Sequence, residues 1–127
     1  MKKGFKQLIA DANSEVKTWT TTDAIAAVGR GDVAFIDIRE PDELARDGMI
    51  PGAEPAPRGM IEFYADPDSP YHKPVFSSGK TLVLYCASAG RSALAAKTLK
   101  DMGLDNVAHV AGGFKAWTAA NGPVEKK

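Results

Sequence analysis

The chain has 127 residues, 44% apolar and 25% charged, a globular mix that suggests one domain able to build a core without disulfide staples. Its 16 basic and 16 acidic side chains cancel, which leaves no basic excess for a nucleic-acid surface but does not exclude a small local anion site. One cysteine, Cys86, excludes an internal disulfide or a CxxC metal knuckle, and His72 and His109 lack ligand spacing, so no zinc site is expected.

At the amino end, Lys2 and Lys3 precede a stretch broken by Lys6, Gln7 and Asp11, too short and too polar for a signal-peptide core or a membrane span. A soluble protein is expected, and a lone thiol fits the reducing cytoplasm. Phe5, Leu8, Ile9 and Ala12 at helical spacing predict a short amphipathic helix over 5–12. Residues 16–19 read as a brief strand. Thr21 or Thr22 is expected to cap a helix reaching Val28, with Gly29 as its stop. The β-branched run 33–38 reads as a buried strand, and Pro41 opens a short helix that Gly48 closes. Past the Pro51-Gly52 turn, Pro55 and Pro57 indicate extended chain, 59–65 a short helix and 66–79 a long loop. A second strong strand over 81–85, a helix over 92–102 stopped by Gly103, a third strand over 107–110 and a helix over 113–121 complete the pattern. Residues 124–127 read as a frayed tail. Strands alternating with helices predict an α/β fold, a central parallel sheet with helices on both faces, whose ligands sit outside the carboxyl ends of the strands.

Cys86 stands at such an end. An apolar run stops there, the small residues Ala87, Ser88, Ala89 and Gly90 follow, then Arg91, and a helix starts near Ser92. Amides from Ala87 to Ser92 can converge on the sulfur as an anion nest; the helix adds its positive end and Arg91 a permanent charge. Gly90 also permits a positive φ if the loop needs one. Ser88 and Ser92 offer hydroxyls to a terminal sulfur. A cysteine held so favours the thiolate, its reactive form. The plain alternative is a core-filling cysteine at a strand end. The small-residue loop, the arginine and the strand–loop–helix context together favour the nucleophile. Asp37 reads as a structural partner for Arg39 or Arg58, His109, Phe114 and Trp117 as structural, and His72 as a solvated loop residue.

These residues resemble the rhodanese family, single-domain thiosulfate sulfurtransferases and their relatives. Phe35-Ile36-Asp37-Ile38-Arg39-Glu40 looks like the family's early strand ending in Asp-x-Arg. Glu43-Leu44 with Gly48-Met49-Ile50-Pro51-Gly52-Ala53 looks like its GHIPGA segment, with Met49 where the family usually has a histidine held to be structural. The 85–92 loop looks like the active loop, and Gly112-Gly113-Phe114-Lys115-Ala116-Trp117 like the late GG-x-x-x-W segment. The resemblance implies a rhodanese domain over 19–123 with a helical extension over 1–18. It implies Cys86 as nucleophile, Ala87, Ser88, Ala89, Gly90, Arg91 and Ser92 as the donor-binding loop, and Arg58 at the pocket rim. The implied reaction is a sulfur relay. The Cys86 thiolate attacks thiosulfate or another sulfane donor, a persulfide forms and sulfite leaves. Cyanide, a cellular thiol or a protein sulfur acceptor then takes the sulfur. Such a relay implies no metal or cofactor and no nucleic-acid or membrane partner.

Other readings stand beside it. Rhodanese-like domains also serve as persulfide carriers or as regulatory modules without turnover; the intact cysteine and arginine disfavour a dead domain without separating carrier from enzyme. Cell-cycle dual-specificity phosphatases and some arsenate reductases share the fold, with five residues between cysteine and arginine. Here there are four, Ala87 to Gly90, a tighter cradle suited to sulfur rather than to a tetrahedral phosphate.

Overall fold

The three strongest apolar runs form the centre of a five-stranded, all-parallel sheet in the computed structural model, which describes residues 1–126. Strands β1 (Lys17–Trp19), β2 (Val33–Asp37), β3 (Glu54–Pro55), β4 (Thr81–Tyr85) and β5 (Val107–Val110) lie in the order β1-β5-β4-β2-β3. The central strands are mostly apolar and buried at nearly every position because both faces are covered. Phe35, Val83 and Tyr85 point into one core with Leu44, Phe114 and Trp117. Ile36, Leu82 and Leu84 point into the other with Ile61, Ala95, Ala96 and Leu99. Helices α2 (Thr21–Ala26), α3 (Pro41–Asp47) and α6 (Gly113–Ala119) therefore cover one face, and α4 (Ile61–Ala65) and α5 (Gly90–Asp101) the other, with α1 (Phe5–Glu15) packed on α5.

Several local expectations shift. α1 runs past Ala12 to Glu15. The cap of α2 is Thr20, whose hydroxyl accepts from the Asp23 N–H at 3.1 Å, not Thr21 or Thr22. The long loop 66–79 contains a 3₁₀ turn, Pro74–Ser77, because Phe76 is buried. α5 begins at Gly90, two residues before Ser92, a shift that matters for the site.

The carboxyl end also departs from a frayed tail. Glu125 and Met49 exchange backbone hydrogen bonds, each 2.9 Å, and the Trp117 indole N–H donates to the Pro123 carbonyl at 2.7 Å. Room for this pairing comes from Gly48, where a Cβ would lie 2.8 Å from the Glu125 carbonyl oxygen. Lys127, the last residue of that expected tail, lies outside the described residues.

Candidate functional site

Asp37 of β2 is in register with Tyr85 of β4, so the two chains leave the sheet side by side. Past β4, Cys86 is 1% exposed, and its Sγ accepts two backbone N–H groups, from Ala89 at 3.1 Å and from Ser92 at 3.3 Å. The first amides of α5 have no intrahelical acceptor, so the Ser92 N–H is free to serve the sulfur. Two features aim these donors. Ala89 lies in the left-handed region at φ 89°, an uncommon place for an alanine, with a cost of roughly 1–2 kcal/mol. Gly90, which would permit that conformation, instead opens α5 beneath α1; a Cβ there would lie 3.3 Å from Ile9 Cδ1.

The second feature is a clamp from α6. The Cys86 carbonyl accepts from the Phe114 N–H at 2.8 Å and the Ala87 carbonyl from the Lys115 N–H at 3.0 Å. Both carbonyls are thus held against the start of α6, away from the sulfur. Such an approach requires a bare Gly113: at φ +61°, its Cβ would lie 2.6 Å from the Cys86 oxygen.

Arg91 sits at the rim with its side chain 39% exposed, gripped in a bidentate pair by Glu43 of α3 at 2.7 and 3.0 Å. The Arg91 guanidinium holds the Glu43 carboxyl down at about 2, against an ordinary 4.5. Glu43 in turn raises Arg91, with a smaller contribution from the neighbouring Cys86. Ser88 is exposed, and Ser92 is buried with its hydroxyl 2.9 Å from His109 Nδ1. Above the loop, Phe5, Ile9 and Asn13 of α1 and Leu94 of α5 line a groove of about 570 Å³ that reaches Ser88 and Arg91.

The structure thus brings together Cys86, Ala87, Ser88, Ala89, Gly90, Arg91 and Ser92. It does not bring Arg58. That guanidinium bonds Glu62 and Thr98, both at 3.3 Å, and Thr98 lies seven residues along α5 from Arg91, a rise of roughly 10 Å. Asp37 pairs with Arg39, as one of the two expected options; both side chains are buried, and Arg39 also bonds the Gly48 carbonyl at 2.7 Å and stacks 4.3 Å from the Phe114 ring centre. Glu43 and Asn13 were invisible as site residues in the sequence. Their only signal is spatial, since the strand order places α1 and α3 beside a loop far away in the chain. Among the described residues no His, Cys, Asp or Glu cluster could hold a metal ion, and no helix is long and apolar enough to cross a membrane.

Comparison with known proteins agrees with this fold. A family model described as the rhodanese-like domain matches residues 20–120. A solved structure from Rhodopseudomonas palustris, of a protein of unknown function described as a "possible tyrosine phosphatase", is 54% identical, with a TM-score of 0.95, covering 98% of this chain and 96% of that one. The polysulfide-sulfur transferase homodimer of Wolinella succinogenes is 26% identical with a TM-score of 0.72, covering 97% and 88%. A sulfurtransferase of Allochromatium vinosum is 33% identical over 93 residues, 73% of this chain and 78% of that protein. The chain spans about half, 48%, of another curated relative, an uncharacterized protein of Synechocystis.

Proposed function

The chain belongs to the rhodanese-like family, and on that footing we propose that Cys86 relays a sulfane sulfur, as a persulfide, from an anionic donor such as thiosulfate to a thiophilic acceptor. The observation that carries this reading is the pair of N–H groups from Ala89 and Ser92 aimed at one buried sulfur. Oriented amides at a helix start favour negative charge on that atom. In the first step the Cys86 thiolate attacks the outer sulfur of thiosulfate. A new S–S bond forms, the old one breaks, and sulfite leaves with the electron pair. In the second step cyanide or a thiolate attacks the outer persulfide sulfur, and Cys86 departs as thiolate. No proton, metal or redox partner is needed in either step. Arg91 supplies positive charge at the rim for the incoming anion, and Glu43 fixes its direction. The similarity to proteins named sulfurtransferase supports this chemistry.

A phosphatase reading has one observation in its favour, the description of the Rhodopseudomonas palustris relative. Two features of this chain oppose it. Its loop has four residues between Cys86 and Arg91, and both amides on the cysteine end on Sγ itself.

Intact mass after exposure to thiosulfate tests the proposal. A gain of about 32 Da is expected, lost on a thiol chase. No gain would overturn the relay. A gain that no thiol or cyanide removes would make the chain a carrier for a specific partner. Hydrolysis of a small aryl phosphate, with no sulfur gain, would establish the rival.

A further inference from the structure

A hydrogen-bonded chain of side chains that the sulfur relay does not itself use ends at the Cys86 cradle. His109 lies in β5, which pairs with β4, the strand that leads into Cys86, and is 1% exposed. Its Nε2 is 2.9 Å from Asn13 Oδ1 on α1 and 3.2 Å from Thr18 Oγ1 on β1. Its Nδ1 is 2.9 Å from Ser92 Oγ. An amide oxygen only accepts, so these partners assign the ring proton to Nε2 and leave Nδ1 bare. Burial lowers the His109 pKa, which keeps the ring neutral. The single hydroxyl hydrogen of Ser92 then serves Nδ1. Its other acceptor, the Ala89 carbonyl at 3.2 Å, already takes the Ala93 N–H at 3.1 Å. The backbone N–H of this same Ser92 is one of the two donors on the Cys86 sulfur.

We infer that His109 is a positioning residue: through the Ser92 hydroxyl it holds one of the two amides of the sulfur cradle on target, and Asn13 of α1 sets the tautomer that lets it do so. The inference rests on the reading of Cys86 as an ionised nucleophile. It also gives α1 a role in the site. That helix lies outside residues 20–120, the part matched by the family model, so its arm onto His109 is an addition to the family domain.

The test reads the ultraviolet absorbance of the thiolate in the full chain at neutral pH, against Cys86→Ser as blank, with thermal unfolding to confirm the fold. His109→Leu removes the acceptor at Nδ1 and is expected to lose at least about half of the signal. His109→Asn puts an amide oxygen where Nδ1 was and is expected to restore most of it. His109→Gln reaches toward Asn13 but not Ser92 and should resemble His109→Leu. Asn13→Ala should fall between wild type and His109→Leu. Should the leucine variant fail to fold, the Asn and Gln variants carry the comparison. A folded leucine variant with full signal, equal signals from Asn and Gln, or a wild type with no signal each overturn the inference. A wild type that absorbs as a thiolate yet gains no sulfur from thiosulfate would instead sink the relay and leave this coupling standing.

Discussion

Two strand ends lie side by side at the carboxyl edge of the sheet, and each is followed by an arginine. At the end of β2, Asp37 takes both the side chain and the backbone N–H of Arg39, whose guanidinium also reaches the Gly48 carbonyl and the Phe114 ring. Water has no access and every strong partner is a fixed charge or a carbonyl. At the end of β4 the acceptor is a sulfur, its donors are two backbone amides, and Arg91 stays at the surface on Glu43. The first arrangement spends its charges on each other and holds the edge of the sheet closed. The second leaves a soft, polarizable atom as the only group that the cradle stabilises, so reactivity collects there. Burial alone does not separate them, since Cys86 is as hidden as Asp37; the difference is what the donors meet.

Substitutions can break or sharpen that contrast. Cys86→Ser should abolish the thiosulfate-dependent mass gain and all sulfur transfer while the fold persists; any retained adduct would move the chemistry elsewhere. Asp37→Ala should strand the buried Arg39 charge and cost about 3–5 kcal/mol in denaturant unfolding, the reverse pattern of stability lost and chemistry untouched in the molecules that still fold. Gly113→Ala forces a Cβ into the Cys86 and Ala87 carbonyls. It should cost about 1–3 kcal/mol and slow persulfide formation at least about tenfold, linking the two regions because the loop is displaced from α6. Arg91→Ala should lower kcat/KM for thiosulfate about tenfold with little change in melting temperature; unchanged kinetics would deny Arg91 a hold on the donor.

The smallest effect belongs to Glu43→Gln. Because Arg91 holds the folded-state Glu43 carboxyl at about 2, below its ordinary 4.5, the ion pair contributes stability above pH 4.5 and loses it as pH falls toward 2. Solvent around Arg91 limits that contribution to under about 1 kcal/mol. The gap in stability between wild type and Glu43→Gln should therefore close over that acid window, and a constant gap would show that the pair is idle.

Much of this contrast was legible from residues in order. β4 and β5 fall on the predicted spans because each is a short, mostly apolar run with no competing helical period. Local cues misplaced the cap of α2, where three threonines in a row offer the same hydroxyl and only the chain's entry angle selects Thr20. They also gave no sign that the positive φ of the loop falls on Ala89 rather than on Gly90, whose lack of a side chain permits it. The tail misled because nothing in Glu125 announces the Met49 edge that pairs with it.

The sequence by itself determined the alternation of strands and helices, the two-sided core and the placement of a lone thiol before a tight loop of small residues. These follow from short-range rules, the period of apolar residues and the sizes of side chains in a loop. Only the tertiary structure decided who touches that loop. Glu43 on Arg91, α6 on the Cys86 and Ala87 carbonyls, and Asn13 and His109 behind Ser92 are contacts between segments well separated in the chain. They depend on the β1-β5-β4-β2-β3 order of a parallel sheet, in which neighbours in space are set by crossovers rather than by distance along the chain.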